Sequence, residues 1–332
     1  MPSGWLDIHA HFSPPGTPEQ VRAVWQAMYD ECFTMPEPYV WNVDRTLWHM
    51  DRTGVAMQIL SQVPRVHGTP SPESVQAGIT ASNRYGASLV AEHPDRFGLL
   101  AALPTDDVDA AVAELCRADD LGADGYILLA PFSGVHLGAP ELEPLWGELE
   151  RRGNPILIHP DAHAPAAQGR PSPLVEVAFD TARSVIDMLY AGVFRRYPEL
   201  LVVLGHCGGA FPALSGRITR LGTEVWVPNP NGLTREELRE QTARLYVDTA
   251  ASSADSLLWP AVRLVGEDHI VYGSDNGTPC TSELTVEAGI AELRESTVLR
   301  AGAAEAIGRR GFEIFPAAAR RAGVTVGAGS GS

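Results

Sequence analysis

Two histidines one residue apart, His9 and His11, close the apolar run "WLDIHAHF" at residues 5–12. Imidazole binds metals and moves protons near neutral pH, so the pair is a candidate for either task. Three further residues able to do one or both end other apolar runs. They are His159 in "PILIHP", His206 in "LLVVLGHC" and Asp275 in "HIVYGSD". A lone buried histidine is more often a hydrogen-bonded core residue than a ligand. A set is different, because imidazoles and a carboxylate converging in an apolar interior leave polar groups half satisfied unless a cation takes their lone pairs. Three imidazoles and one carboxylate suit Zn²⁺, with Mn²⁺ or Fe²⁺ also possible. Spacing alone does not say which histidines hold the ion and which one handles protons.

The elements that must bring these residues together are legible as a repeating pattern. Eight short apolar runs have strand character, at 5–12, 55–62, 97–104, 125–130, 155–160, 200–207, 244–250 and 269–275. Stretches of helical period lie between them. "VDAAVAELCRADDLG" (108–122) and "ELEPLWGELERRG" (141–153) each stop at a glycine, a common helix terminator. Apolar strands alternating with amphipathic helices predict an α/β fold with a parallel sheet under helices, and eight such units predict a closed (β/α)8 TIM barrel. Side chains two apart share one face of a strand, so His9 and His11 point into the barrel together. The carboxyl ends of barrel strands meet at one mouth, where active sites form. The segment 13–44 is too long for an ordinary connection and carries a predicted helix near 18–30. It reads as a long β1–α1 insertion over the barrel mouth. No second-domain boundary is visible, so residues 1–321 read as one domain and the Gly/Ser-rich 322–332 as a disordered tail.

Composition narrows the partners. Of 332 residues, 45% are hydrophobic and 20% charged, with a formal net charge of -16. That acidity argues against nucleic acid or an anionic membrane surface, both of which select clustered cations. No apolar run is long enough to span a bilayer, and no secretory leader is recognisable. Cys32, Cys116, Cys207 and Cys280 show no CxxC spacing and read as reduced thiols in a cytoplasmic protein.

The order of these residues, His-x-His on the first strand, His on the fifth and sixth and Asp on the eighth, resembles the amidohydrolase superfamily. Longer segments are similar to its decarboxylase branch, that of aminocarboxymuconate-semialdehyde decarboxylase and 6-methylsalicylate decarboxylase. Among them are "DIHAHF", "HPDRFGLLAALP", "FDTARSVIDMLYAGVFRRYPEL", "LGHCGGAFPAL" and "YGSD", spread from residue 5 to 275. The resemblance implies that His9, His11, His159 and Asp275 bind one divalent ion. It implies that His206 is not a ligand but orients or deprotonates the water on the metal. The fourth-strand run "GYILLA" carries no lysine, as in the one-metal members.

The activity implied is non-oxidative decarboxylation of a hydroxyaryl or unsaturated carboxylic acid, with Asp275 carrying the proton and His206 supporting it. The same residue inventory would serve a metal-dependent hydrolase, lactonase or hydratase, which stands as the alternative, and relatives imply a homodimer or higher homo-oligomer. Candidate substrate contacts are Arg65 after the second strand, Phe132 after the fourth, His163 after the fifth, Arg183 in "FDTARS", and Asn276 beside Asp275. Arg183 equally fits a surface pair with Asp180, three residues earlier on a helix. Cys207 reads as tight packing beside His206 rather than as a nucleophile. The segments "CFTMPEPYV" and "NGTPCTSE" depart from the branch's pattern, the first lacking an arginine expected there, so no particular substrate carries over.

Overall fold

Short runs rich in branched apolar residues form seven parallel strands in this computed structural model, which describes residues 4–65 and 71–325. They are β1 (Trp5–His11), β2 (Val55–Ser61), β3 (Phe97–Ala102), β4 (Gly125–Leu129), β5 (Ile156–His159), β6 (Val202–Leu204) and β7 (Tyr246–Val247). They lie in sequence order in one curled sheet. Each crossover carries at least one helix, and the helix starts are chemically marked. Thr17 makes a reciprocal capping box over Pro18–Asp30, and Asn42 caps Val43–Thr53.

The eighth run is not a regular strand. Asp275 has φ 60° and the following Gly277 has φ 89°, conformations that interrupt an extended backbone. The segment still fills the gap between β7 and β1. Val271 N–H donates to Val247 O at 3.0 Å, Ile8 N–H to Tyr272 O at 3.0 Å, and Asp275 N–H to His9 O at 2.9 Å. The ring is thereby closed at the place where Asp275 must meet the histidines. Gly277 allows this closure, since a Cβ there would stand 1.9 Å from the carbonyl oxygen of His11. Gly277→Ala is expected to destabilise the fold by about 3 kcal/mol or more, by left-handed strain plus that clash. Urea unfolding with a lower midpoint and an unchanged slope would register it.

A second irregularity aims the first histidine. Along β1 the three steps from Asp7 to Ala10 oppose only two along β2, from Gln58 to Leu60, so β1 holds one extra residue. Such a bulge re-aims side chains. Leu6 and Ile8 belong to the apolar cluster that fills the barrel, with Met57, Ile59, Leu100, Ile127, Leu129, Leu157, Val203 and Val271. Strict alternation from Ile8 would send His9 outward. The extra residue brings it back inside, next to His11.

Phe312, Phe315, Ala318 and Ala319 extend this cluster. Arg321, close by in sequence, bonds Asp124 and the Phe97 carbonyl at the starts of β4 and β3. The amino-terminal end of the barrel is therefore covered by the C-terminal helices, and the polar residues gather at the other end. Ala322 and Val324 also pack here, so the chain stays attached just beyond residue 321, where a disordered tail was expected to begin. Residues 326–332 lie outside the described residues. Among the described residues no helix is long and apolar enough to cross a membrane.

Candidate metal centre

The carboxyl ends of β1 and β5 and the turn at Asp275 deliver four buried donors to one point. One ligand atom from each of His9, His11, His159 and Asp275 can be chosen so that all four lie within 4.8 Å of one another. His9 Nε2 and His11 Nε2 are 3.1 Å apart, and Asp275 Oδ1 lies 3.8 Å from the first and 3.2 Å from the second. The ring of His159 stands 4.9 Å from that of His9 and 5.3 Å from that of His11, centroid to centroid.

Partners on the far side of each ring turn Nε2 toward the centre. His9 Nδ1 meets Asp248 Oδ2 at 2.6 Å, His11 Nδ1 meets Ser61 Oγ at 3.0 Å, and His159 Nδ1 meets the Pro160 carbonyl at 2.6 Å. A carbonyl only accepts, so His159 carries its proton on Nδ1 and offers a lone pair at Nε2. That Nε2 is buried and has no protein partner. A buried orphan lone pair, facing two more imidazoles and a carboxylate, is the arrangement a divalent cation satisfies. The residues present fit a metal.

Charge states follow from burial. Desolvation, reinforced by the neighbouring His9 and His206, pushes His159 far below the usual imidazole range. Burial likewise lowers His11 and His206. His9 is pulled down by burial too, but the charge and hydrogen bond of Asp248 outweigh it and the net shift is upward. Burial opposes ionisation of Asp275, yet the bond from His11 and the charges of His206, His11 and His9 hold its carboxyl well below the ordinary range. Its Oδ2 accepts a hydrogen bond from Thr281 Oγ1 at 2.8 Å. The site therefore presents two imidazoles biased to the neutral form and an ionised carboxylate.

His206 stands apart from the four. It is partly exposed where they are buried, and its ring lies 5.0 Å from His9 and 5.1 Å from His159. Its Nδ1 is buried and unpartnered. The loop holding it runs through four consecutive positive φ angles, from His206 to Gly209. Non-glycine residues in that region store strain and cluster at functional sites. Gly209 is needed there, because a Cβ would come within 2.4 Å of the Ala178 carbonyl. Cys207 is buried, donates to the Leu257 carbonyl, and has a thiol pushed well up by desolvation, which fits packing and not nucleophilic chemistry.

The candidate substrate contacts scatter. Arg65 and His163 do come together, 3.2 Å apart, but both are held by Glu31 at the end of the first helix. Phe132 is fully buried in the interior cluster. Asn276 is buried beside Asp275, and its carbonyl accepts from His11 N–H at 2.7 Å. Arg183 sits on the surface of helix Glu176–Ala191, paired to Asp180 at 2.6 Å. Here the helix-surface reading of Arg183 describes what is seen.

Sequence reasoning passed over Asp248, Ser61, Thr281 and Glu31. Asp248 and Ser61 had a usable signal, since each stands at or just past the end of an apolar strand as the site residues do. Thr281 and Glu31 come from irregular segments and had none.

A ring of parallel strands that presents three imidazoles and a carboxylate at its carboxyl end is a metal-site barrel enzyme by architecture. The chain belongs to the amidohydrolase family, whose family model matches residues 6–308. It is 32% identical over 292 residues to decarboxylase macB of Penicillium terrestre, an alignment covering 81% of this chain and 83% of that one. It is 29% identical over 280 residues to 6-methylsalicylic acid decarboxylase of Penicillium expansum, covering 81% and 84%. Among solved structures, the 2,6-dihydroxybenzoate decarboxylase from Rhizobium matches with TM-score 0.76 and 24% identity over 94% of this chain and 98% of that one. A dihydroxybenzoic acid decarboxylase from Polaromonas sp. JS666, holding manganese and 2-nitroresorcinol, matches with TM-score 0.74 and 21% identity over 94% and 97%. At those identities the two structures speak for the shared barrel fold.

Proposed function

We propose that this chain is a metal-dependent decarboxylase of hydroxyaryl carboxylic acids. The observation that carries the metal centre is the convergence of four buried donors around the unpartnered Nε2 of His159. The choice of reaction is supported by the relatives, which are named as decarboxylases. His9, His11, His159 and Asp275 hold one ion. A single ion suits a chain with no lysine, since a lysine-derived carbamate cannot bridge two. The donor set favours Zn²⁺, while the manganese of the Polaromonas structure keeps Mn²⁺ in play and Fe²⁺ remains compatible. The ion, when bound, supplies Lewis-acid polarisation and a chelation point for the substrate's carboxylate and neighbouring hydroxyl.

The protein's own part is proton handling. As the carbon–carbon bond breaks, its electron pair stays on the ring carbon, CO₂ departs and that carbon takes a proton. Asp275, ionised at rest and fixed by Thr281 and His11, takes up a proton and passes it to that carbon from beside the ion. His206, with its free Nδ1 and partial exposure, resupplies it. Asn276, next to Asp275 in the chain, is the candidate contact nearest this chemistry. Arg65 and His163 engage substrate only by exchanging Glu31. The segment 13–44, whose Glu31 reaches loops after β2 and β5, covers the mouth. We place the enzyme in the cytoplasm, a reading that its four free cysteines suit, and assign it a homodimer or higher homo-oligomer.

Incubation of the metal-loaded protein with 6-methylsalicylate, 2,6-dihydroxybenzoate and related hydroxybenzoates tests the reaction. CO₂ release with the matching phenol is the expected outcome. No CO₂ from any of them, together with turnover of lactones or esters, would move the assignment to hydrolase.

A further inference from the structure

We infer that Asp248, at the end of the seventh stave, is the positioning residue that fixes the His9 tautomer and the His206 main chain together. The inference rests on the metal-centre reading above and deepens it. Asp248 is fully buried just beyond β7. Its Oδ1 accepts two backbone bonds, from His206 N–H at 2.8 Å and from Ala250 N–H at 3.0 Å. Its Oδ2 is left facing His9 Nδ1 at 2.6 Å.

The two oxygens therefore have different duties. Main-chain N–H groups only donate, so the atom on the Oδ1 side must be an acceptor. That pins the carboxylate's rotation. The Oδ2 side then receives the His9 Nδ1–H proton, and Nε2 keeps the lone pair that can bind an ion. One side chain thus links a ligand on the first stave to the loop of the proton-handling histidine on the sixth. Partners of this kind set ring orientation and ligand basicity in metal sites.

An isosteric amide separates this role from simple packing. In Asp248→Asn the amide oxygen stays on the two backbone donors, and the NH₂ turns toward His9 Nδ1. Imidazole must then accept at Nδ1 and carry its proton on Nε2, where a ligand needs a lone pair. Rotating the amide the other way sets NH₂ against two N–H groups. Neither orientation serves both partners.

The test compares Zn²⁺ affinity, by competition against a chromophoric chelator, in the wild type, Asp248→Asn and Thr249→Val. Thr249 is the structural control. Its hydroxyl bonds the backbone of Gly273 in both directions, at 3.0 and 3.1 Å, and makes no hydrogen bond to an imidazole. Asp248→Asn is expected to weaken Zn²⁺ binding by about 10- to 100-fold. Thr249→Val is expected to lower Tm while leaving affinity within about threefold, too small a change for a lost ligand contact. Equal loss of affinity in both variants, or unchanged affinity in Asp248→Asn, overturns the positioning role while the centre itself stands. A wild type that binds no Zn²⁺ removes the centre and the inference with it. If the Asn variant does not fold, imidazole ¹⁵N spectra of the Zn²⁺-loaded wild type decide. A His9 proton on Nδ1 upholds the role, and one on Nε2 refutes it.

Discussion

His159→Ala is expected to empty the metal centre and abolish activity in a protein that still folds. His159 supplies the end of β5 with a neutral imidazole whose Nδ1 is tied to the Pro160 carbonyl. Its other nitrogen has no protein partner. The ring is therefore held in place for something outside the chain. Truncation leaves three donors, two of them adjacent on β1, with the face toward β5 open. A partner one shell further out already costs about 10- to 100-fold in affinity, so losing a direct ligand should exceed about 100-fold. Metal content per chain and turnover should fall together. The alanine leaves a small void under the mouth but removes an unsatisfied polar atom, so the metal-free variant should unfold cooperatively as the wild type does. A variant that kept its ion would mean that His159 is only a core histidine.

His206→Ala should behave in the opposite way, retaining the ion and losing rate. The ring lies 5.0 and 5.1 Å from those of His9 and His159, close enough to join their cluster, yet it is the partly exposed member of the set. Its unpartnered Nδ1 marks a group kept free for proton exchange. General acid–base groups contribute roughly 10²–10⁴-fold, and kcat should drop by that factor while metal content stays at the wild-type level. Loss of the ion on this substitution would instead make His206 a ligand. Kinetics alone cannot tell these apart, so metal analysis must accompany them.

Much of the site was legible because barrel topology converts strand ends into neighbours. The His9–His11 pair, His159 and Asp275 are far apart in the chain but end staves that share one mouth, and all four do meet. Regular elements were legible for the same kind of reason. The helix expected near 18–30 begins at a capping box that the sequence spells out in Thr17 and Gln20. What the sequence hid was local irregularity. The extra residue between Asp7 and Ala10 leaves no mark on the apolar pattern, yet it decides where His9 points. The last stave looked like a strand because "HIVY" is apolar, but Asp275 and Gly277 bend it out of the extended region to aim the carboxylate. Arg65 and His163 each looked like a carboxylate receptor. Glu31, 34 residues from Arg65 and 132 from His163, could be placed between them only in three dimensions.

The central proposition is that four side chains from three staves grip one cation. Anomalous diffraction at the absorption edge of the metal found in the purified protein addresses it directly. One peak per chain is expected, bonded at about 2.0–2.2 Å by Nε2 of His9, His11 and His159 and by an oxygen of Asp275. A peak elsewhere, or no peak with these four side chains turned to separate partners, would contradict it.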